Sequence, residues 1–378
     1  MENDNNFDNL NLNKDLLKGV YLYGFIKPSN IQKKGINAIN TGQDCILQSQ
    51  SGTGKTATYL LGVLNRLDNT SSCQGIIITP TRELAGQVYN VACNLSKFTN
   101  YNIVKCTGGT NINENKHELK NGNLIIGTLG RIYHMIDENK INIDKLKFIV
   151  LDEADELLYD TNDKIYSFFE KIKKSVQIIF ISATISLNVF NASKLYTKNP
   201  IKILLRNNEI VVDLISQFYL DVEIEDQKFD TLLDLYNLFS ASQTIIFCNT
   251  IRKVEWLEQK LKKNDFSITV IHSSMTQDER DNIVKDFRNG STRILLTTDL
   301  LARGIDIPQV NMVINYDLPM NKETYIHRIG RCGRFDKKGV SITLVKMQDQ
   351  IDVKLFNKLK HVYKINIIEM PECIDEYL

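Results

Sequence analysis

The chain has 378 residues, 43% of them hydrophobic, enough apolar material for two or three domains with cores of their own. Lysine and arginine number 46 against 45 acids, a net charge of +1, so no bulk basic field advertises a nucleic acid and any grip on one must be local. Seven cysteines without paired spacing argue against a disulfide framework or zinc site, and no apolar run reaches the length of a membrane span, so a cytoplasmic protein is expected.

From the N-terminus, apolar segments of strand length fall at 45–48, 75–79, 102–106, 124–127, 148–151 and 178–181, with helix-length stretches between them. A polar interruption at 206–209 precedes a second series at 244–248, 267–271, 293–297, 312–315 and 341–345. Strands alternating with helices predict an α/β fold: two domains, 1–205 and 215–378, each a mainly parallel sheet flanked by helices, joined by a linker at 206–214. Ligands of such sheets bind at the carboxyl ends of strands, which is where the polar motifs fall.

The first motif is Ser49-Gln50-Ser51-Gly52-Thr53-Gly54-Lys55-Thr56, placed between a strand segment and a run of helix formers. Gly52 and Gly54 let the backbone curl so that its N–H groups converge on phosphate oxygens, helped by the positive end of the following helix. Lys55 is suited to the β- and γ-phosphates, and the Thr56 hydroxyl to Mg²⁺. Ser49 stands where the usual pattern begins with glycine, and a plain structural turn is the competing reading of this segment alone.

Downstream, segment 148–151 runs into Asp152-Glu153-Ala154-Asp155. Asp152 is suited to hold a metal through its water shell and Glu153 to orient or deprotonate an attacking water. Taken alone, three acids at a helix start need no more explanation than the helix dipole, but with Lys55 they complete a magnesium-dependent ATP site. In the second domain, His327, Arg328, Arg331 and Arg334 crowd into one stretch interleaved with glycines. Planar, permanently charged guanidinium groups can neutralise a developing γ-phosphate charge, whereas the bland alternative is a solvated basic helix face.

These motifs together resemble the DEAD-box family of ATP-dependent RNA helicases, named after residues 152–155. Pro80-Thr81-Arg82-Glu83-Leu84-Ala85, Thr107-Gly108-Gly109, Ser182-Ala183-Thr184, Gln277 with Arg280, and residues 298–306 agree in order along the chain. The wording of residues 300–306 and 368–371 is similar to the translation-initiation subgroup of that family.

The resemblance implies two RecA-like domains with ATP and RNA sites across the interdomain cleft. It implies that Phe25, Lys27 and Gln32 read adenine, with Phe25 stacked on the base and Gln32 paired to N6 and N7, an edge an amide suits. It assigns Ser51, Gly52, Thr53, Gly54, Lys55 and Thr56 to the phosphates, Asp306 to the ribose, Thr56 and Asp152 to Mg²⁺, and catalysis to Lys55, Glu153, Arg331 and Arg334. Asp155, Ser182, Thr184 and His327 become the couplers of nucleotide state to domain closure.

RNA contacts fall to Pro80, Thr81, Arg82, Gly109, Thr128, Arg131 and Thr298, a backbone grip indifferent to base sequence. Without the motif, Arg82 and Arg131 read as surface ion-pair partners. The implied function is an RNA-stimulated ATPase that locally unwinds short duplexes, a monomer acting in translation initiation with a helical-repeat scaffold as partner. The alternative is an ATP-gated RNA clamp that nucleates a ribonucleoprotein complex. Two departures stand out: Leu129 replaces the usual proline of Thr128-Leu129-Gly130-Arg131, which is expected to loosen that RNA loop, and His272-Ser273-Ser274 replaces His-Gly-Asp, which puts a second-domain RNA contact in doubt.

Overall fold

The computed structural model describes residues 6–50, 52–109, 118–160, 162–205, 214–238, 243–299, 310–333, 338–363 and 366–371. The chain divides into two compact units, one up to Leu205 and one from Arg206 onward, with Gln50–Gly52 grouped with the second.

The first unit is built on seven strands: β1 Cys45–Gln48, β2 Gly75–Thr79, β3 Ile103–Cys106, β4 Leu124–Thr128, β5 Phe148–Asp152, β6 Gln177–Ser182 and β7 Ile201–Ile203. They lie in the order β3-β4-β2-β5-β6-β1-β7, every pairing parallel. Because helices cover both faces, the central strands are apolar throughout: Ile76, Ile78, Ile125, Ile149 and Leu151 pack one way, and Ile77, Ile126, Phe148 and Val150 the other.

The second unit repeats the plan with β8 Ile215–Asp221, β9 Gln243–Phe247, β10 Ile268–Ile271, β11 Ile294–Thr297, β12 Val310–Asn315, β13 Gly339–Val345 and β14 Ile368–Glu369. Its order, β10-β11-β9-β12-β13-β8-β14, is the first order with seven added to every number, and it is again all parallel.

The predicted strand segments all fall on strands, with shifts of a residue or two at some ends. Three strands, β7, β8 and β14, lie where no segment is predicted. Strand β8 places Ser216 and Gln217 among apolar residues, so no continuous apolar run marks it, while β7 and β14 are only three and two residues long. Most of the predicted linker, 206–213, lies outside the described residues. No helix among the described residues is long and apolar enough to cross a membrane.

Candidate nucleotide and RNA site

The strand order sorts the predicted site residues of the first unit into two groups. Strands β1, β5 and β6 lie together and carry the phosphate loop, Asp152 and Ser182 at their carboxyl ends. Strands β3, β4 and β2 form the other half and lead into Thr107-Gly108-Gly109, Thr128 and Pro80-Thr81-Arg82.

In the first group the loop leaves β1 and enters the helix Lys55–Leu64. Gly52 (φ 79°) and Gly54 (φ 93°) occupy the left-handed region where a Cβ is penalised, which explains both glycines. The Ser49 amide ties the loop to β6 by donating to the Ser182 carbonyl at 3.2 Å, as a glycine there also could, while the serine hydroxyl adds a bond within the loop to the Thr53 hydroxyl. The Lys55 ammonium is turned onto the Ser49 carbonyl at 3.1 Å, the position a phosphate oxygen would compete for.

Gln32 closes the same loop from the other side. With Ser29 it forms a capping box on the helix Asn30–Asn40, its Oε1 accepting from the Ser29 amide at 2.7 Å. The Ser29 hydroxyl donates to the Thr53 carbonyl at 3.0 Å, and a Cβ on Gly54 would come within 2.6 Å of Gln32 Nε2. Gln32 is therefore packed on the glycine loop itself. Phe25 is half-buried beside Tyr23 and Phe7, ring centroids 5.0 and 6.1 Å away, and Lys27 is exposed.

Asp152 ends β5 as a buried carboxylate. Its Oδ2 accepts the Tyr59 hydroxyl at 2.7 Å and its Oδ1 the Glu153 amide at 3.0 Å. Burial, then the adjacent Glu153 charge, holds this carboxyl well above the usual carboxylate range, against the opposing pull of Tyr59 and Lys55. Glu153 has φ 49°, a left-handed conformation that costs a glutamate energy. Such strain collects at functional positions. Its carbonyl starts the next helix by accepting from the Glu156 and Leu157 amides.

Asp155, Ser182 and Thr184, the residues expected to couple nucleotide state to domain closure, are in contact. The Thr184 hydroxyl donates to Asp155 Oδ2, and the Thr184 amide to the Ser182 hydroxyl at 3.2 Å.

In the second group, Thr81 caps the helix Arg82–Leu95 by accepting from the Leu84 amide at 3.2 Å. Arg82 extends across the glycine turn, where a Cβ on Gly108 or Gly109 would come within 2.9 or 2.8 Å of its guanidinium. Arg131 Nε donates to the Thr107 carbonyl at 3.3 Å, so both arginines converge on one turn, and Gly109 there has φ 88°. Leu129, expected to loosen the loop in place of proline, opens the helix Leu129–Asp137 with its side chain buried in the core, an anchor of a different kind from the fixed φ of a proline ring.

In the second unit, Thr298 follows β11, and the helix Lys322–Ile329 carries His327 and leads to Arg331, whose Nε donates to the His327 carbonyl at 3.1 Å. Sequence reading undervalues Arg328. Fully buried, it donates to Asp299 at 2.6 Å, Asn249 Oδ1 at 2.7 Å and the Asp317 carbonyl at 2.8 Å, fixing the helix that presents its neighbours. His272 Nδ1 is paired with the Ser274 hydroxyl at 2.7 Å, so that turn is closed on itself. Ser51, Asp306 and Arg334 lie outside the described residues. Tyr59, the partner of Asp152, is missed by sequence reading because an aromatic residue on an apolar helix reads as core.

The DEAD/DEAH box helicase family matches residues 29–192, and the helicase conserved C-terminal domain matches residues 227–336. The chain is 44% identical over 375 residues to eukaryotic initiation factor 4A of Caenorhabditis elegans, covering 98% of this chain and 92% of that one. It is also 44% identical to the ATP-dependent RNA helicase FAL1 of Kluyveromyces lactis, covering 98% and 94%. Among solved structures, S. cerevisiae Dbp5 bound to RNA and ADP BeF3 superposes with a TM-score of 0.91 at 36% identity, covering 97% of this chain and 96% of that one.

Proposed function

The chain belongs to the DEAD/DEAH box helicases and is an ATP-hydrolysing RNA helicase of that family, and from that premise we propose that it is an RNA-stimulated ATPase that locally separates short duplexes during translation initiation. The observation that carries the reading is the first sheet's carboxyl edge, with Lys55, Asp152 and Glu153 on the β1 and β5 side and Arg82 and Arg131 gathered on the β2, β3 and β4 side.

In this reading Gln32 and Phe25 select adenine, and the Gly52–Gly54 backbone and Lys55 hold the phosphates, assisted by Lys27, Ser51 and Thr53. Asp306 takes the ribose. Glu153 orients the attacking water, and Arg331 and Arg334 neutralise charge on the γ-phosphate. Two adjacent buried carboxylates, Asp152 and Glu153, whose mutual repulsion a cation would relieve, are hard-oxygen donors that, with the Thr56 hydroxyl, fit Mg²⁺ held by Thr56 and Asp152. When bound, that ion neutralises charge on the β- and γ-phosphate oxygens. Asp155, with Thr184 and Ser182, reports the nucleotide to His327. RNA rests its backbone on residues 80–82, Gly109, Thr128, Arg131 and Thr298. The domain limits are 1–205 and 215–378 with 206–214 as linker, and the protein works in the cytoplasm as a monomer recruited by a helical-repeat scaffold.

The test is phosphate release with no nucleic acid, with single-stranded RNA and with single-stranded DNA, beside unwinding of a short RNA duplex. RNA is expected to stimulate strongly and DNA weakly. Equal stimulation by DNA removes the RNA assignment, and negligible stimulation with a long ATP-bound dwell on RNA replaces the helicase with a clamp. Translation initiation is supported by the name of the C. elegans relative, although FAL1 is equally similar. It is tested by rescue of a translation extract depleted of its own helicase, where an active enzyme that fails to rescue removes that role.

A further inference from the structure

We infer that Tyr59 is a positioning residue for the divalent cation, holding the Asp152 carboxylate assigned to that ion in one fixed orientation. The inference rests on the reading of Thr56 and Asp152 as the metal-holding residues. Tyr59 lies one helical turn beyond Thr56 on the helix Lys55–Leu64, so both side chains share a face. Its ring is completely buried in the core between that helix and the sheet. Its hydroxyl donates to Asp152 Oδ2 at 2.7 Å.

A phenol on a two-torsion side chain packed on all sides has no alternative rotamer, so it fixes whatever it bonds. It occupies one lone pair of Oδ2, the Glu153 amide occupies one of Oδ1, and the carboxylate plane is set from both ends. Groups that orient a metal's ligands from behind are worth roughly 10–100-fold in metal affinity. Phenylalanine at 59 keeps the ring and the packing and removes only the link.

The experiment is Mn²⁺ titration of the full chain in the presence of ADP, followed by electron paramagnetic resonance, for the parent and Tyr59→Phe, with ADP affinity in EDTA measured alongside. Tyr59→Phe is expected to raise the Mn²⁺ dissociation constant about 10-fold while leaving metal-free ADP affinity within about twofold. Tyr59→Met, which fills the space without a hydroxyl, is expected to match it. Unchanged Mn²⁺ affinity overturns the inference. So does an equal loss of ADP affinity in EDTA, which marks Tyr59 as a support of the loop only. If the parent itself binds ADP identically with and without Mn²⁺, the assignment of Thr56 and Asp152 to a metal fails instead.

Discussion

The two units share one strand order, yet the same edge of the sheet is used in opposite ways. After β1, the loop contains Gly52 and Gly54 and leads to Lys55; opposite it stands Asp152 at the end of β5. After β8, the connection contains no glycine and leads to Lys228, with Asp317 just beyond β12. Lys228 opens the second unit's first helix much as Lys55 does in the first, and Asp317, two residues past the end of β12, has closed on it at 3.3 Å. Glu225 joins Lys228 at 3.1 Å and also pairs with Lys253, which meets Asp317 at 3.2 Å. The Asn249 amide adds a bond to Asp317 at 3.0 Å. Where the first unit has a loop with two left-handed glycines, Gly52 and Gly54, the second has a cluster of paired ions. Topology decides where a site can form, and a few side chains decide whether it takes a ligand from solution.

The sharpest way to break this comparison is chemical. On the proposed roles, Glu153→Gln would keep the metal and arginine contacts and remove only water activation, so RNA-stimulated turnover should fall by about 10²–10⁴-fold while ATP-dependent RNA binding persists. Phosphate release and RNA retention measured on one preparation decide it.

The two lysines should then give reciprocal signatures. Lys228→Met leaves buried carboxylate charge short of its partner and should cost about 3 kcal/mol of stability with ATP affinity nearly unchanged. Lys55→Met should weaken ATP binding or turnover at least tenfold and leave stability within about 0.5 kcal/mol. Urea unfolding and nucleotide binding separate the two, and matching losses would mean the edges are not used differently.

On the RNA side, Gly109→Ala must enter a left-handed conformation and meet the Arg82 guanidinium, at a cost of about 1–2 kcal/mol. Weaker RNA stimulation with unchanged basal hydrolysis would place the turn in RNA binding. Leu129→Pro should have the smallest effect, with RNA affinity within about twofold, because a proline suits the first helical position but gives up the buried side chain.

Much of the architecture is readable from local pattern. Strands β1 and β2 occupy the predicted 45–48 and 75–79 because buried parallel strands are continuous apolar runs with clear ends. Strand β8 escapes because its place is fixed by β13, whose Gly339 pairs with Ile215 far along the chain, and not by its own composition. The site divides in the same way. Residues 49–56 and 152–155 are contiguous and announce themselves, whereas the Arg328, Asn249, Asp299 and Asp317 cluster comes from separated segments. Tyr59 is invisible for a different reason, since its ring does the work of a core residue and only its hydroxyl does more. At Leu129 the letter is an exception to a pattern but the physical requirement, an anchored helix start, is still met.

The left-handed backbone at Glu153 has a consequence for how this protein can change. A glutamate there pays about 1–2 kcal/mol that asparagine, more at ease in that conformation, would largely recover. Selection for stability alone would therefore erode the residue, and libraries screened only for heat resistance should enrich Glu153→Asn among survivors that fold better and no longer turn over ATP. On the proposed role of Glu153, a sturdier form of this chain and the working one are expected to differ at that position.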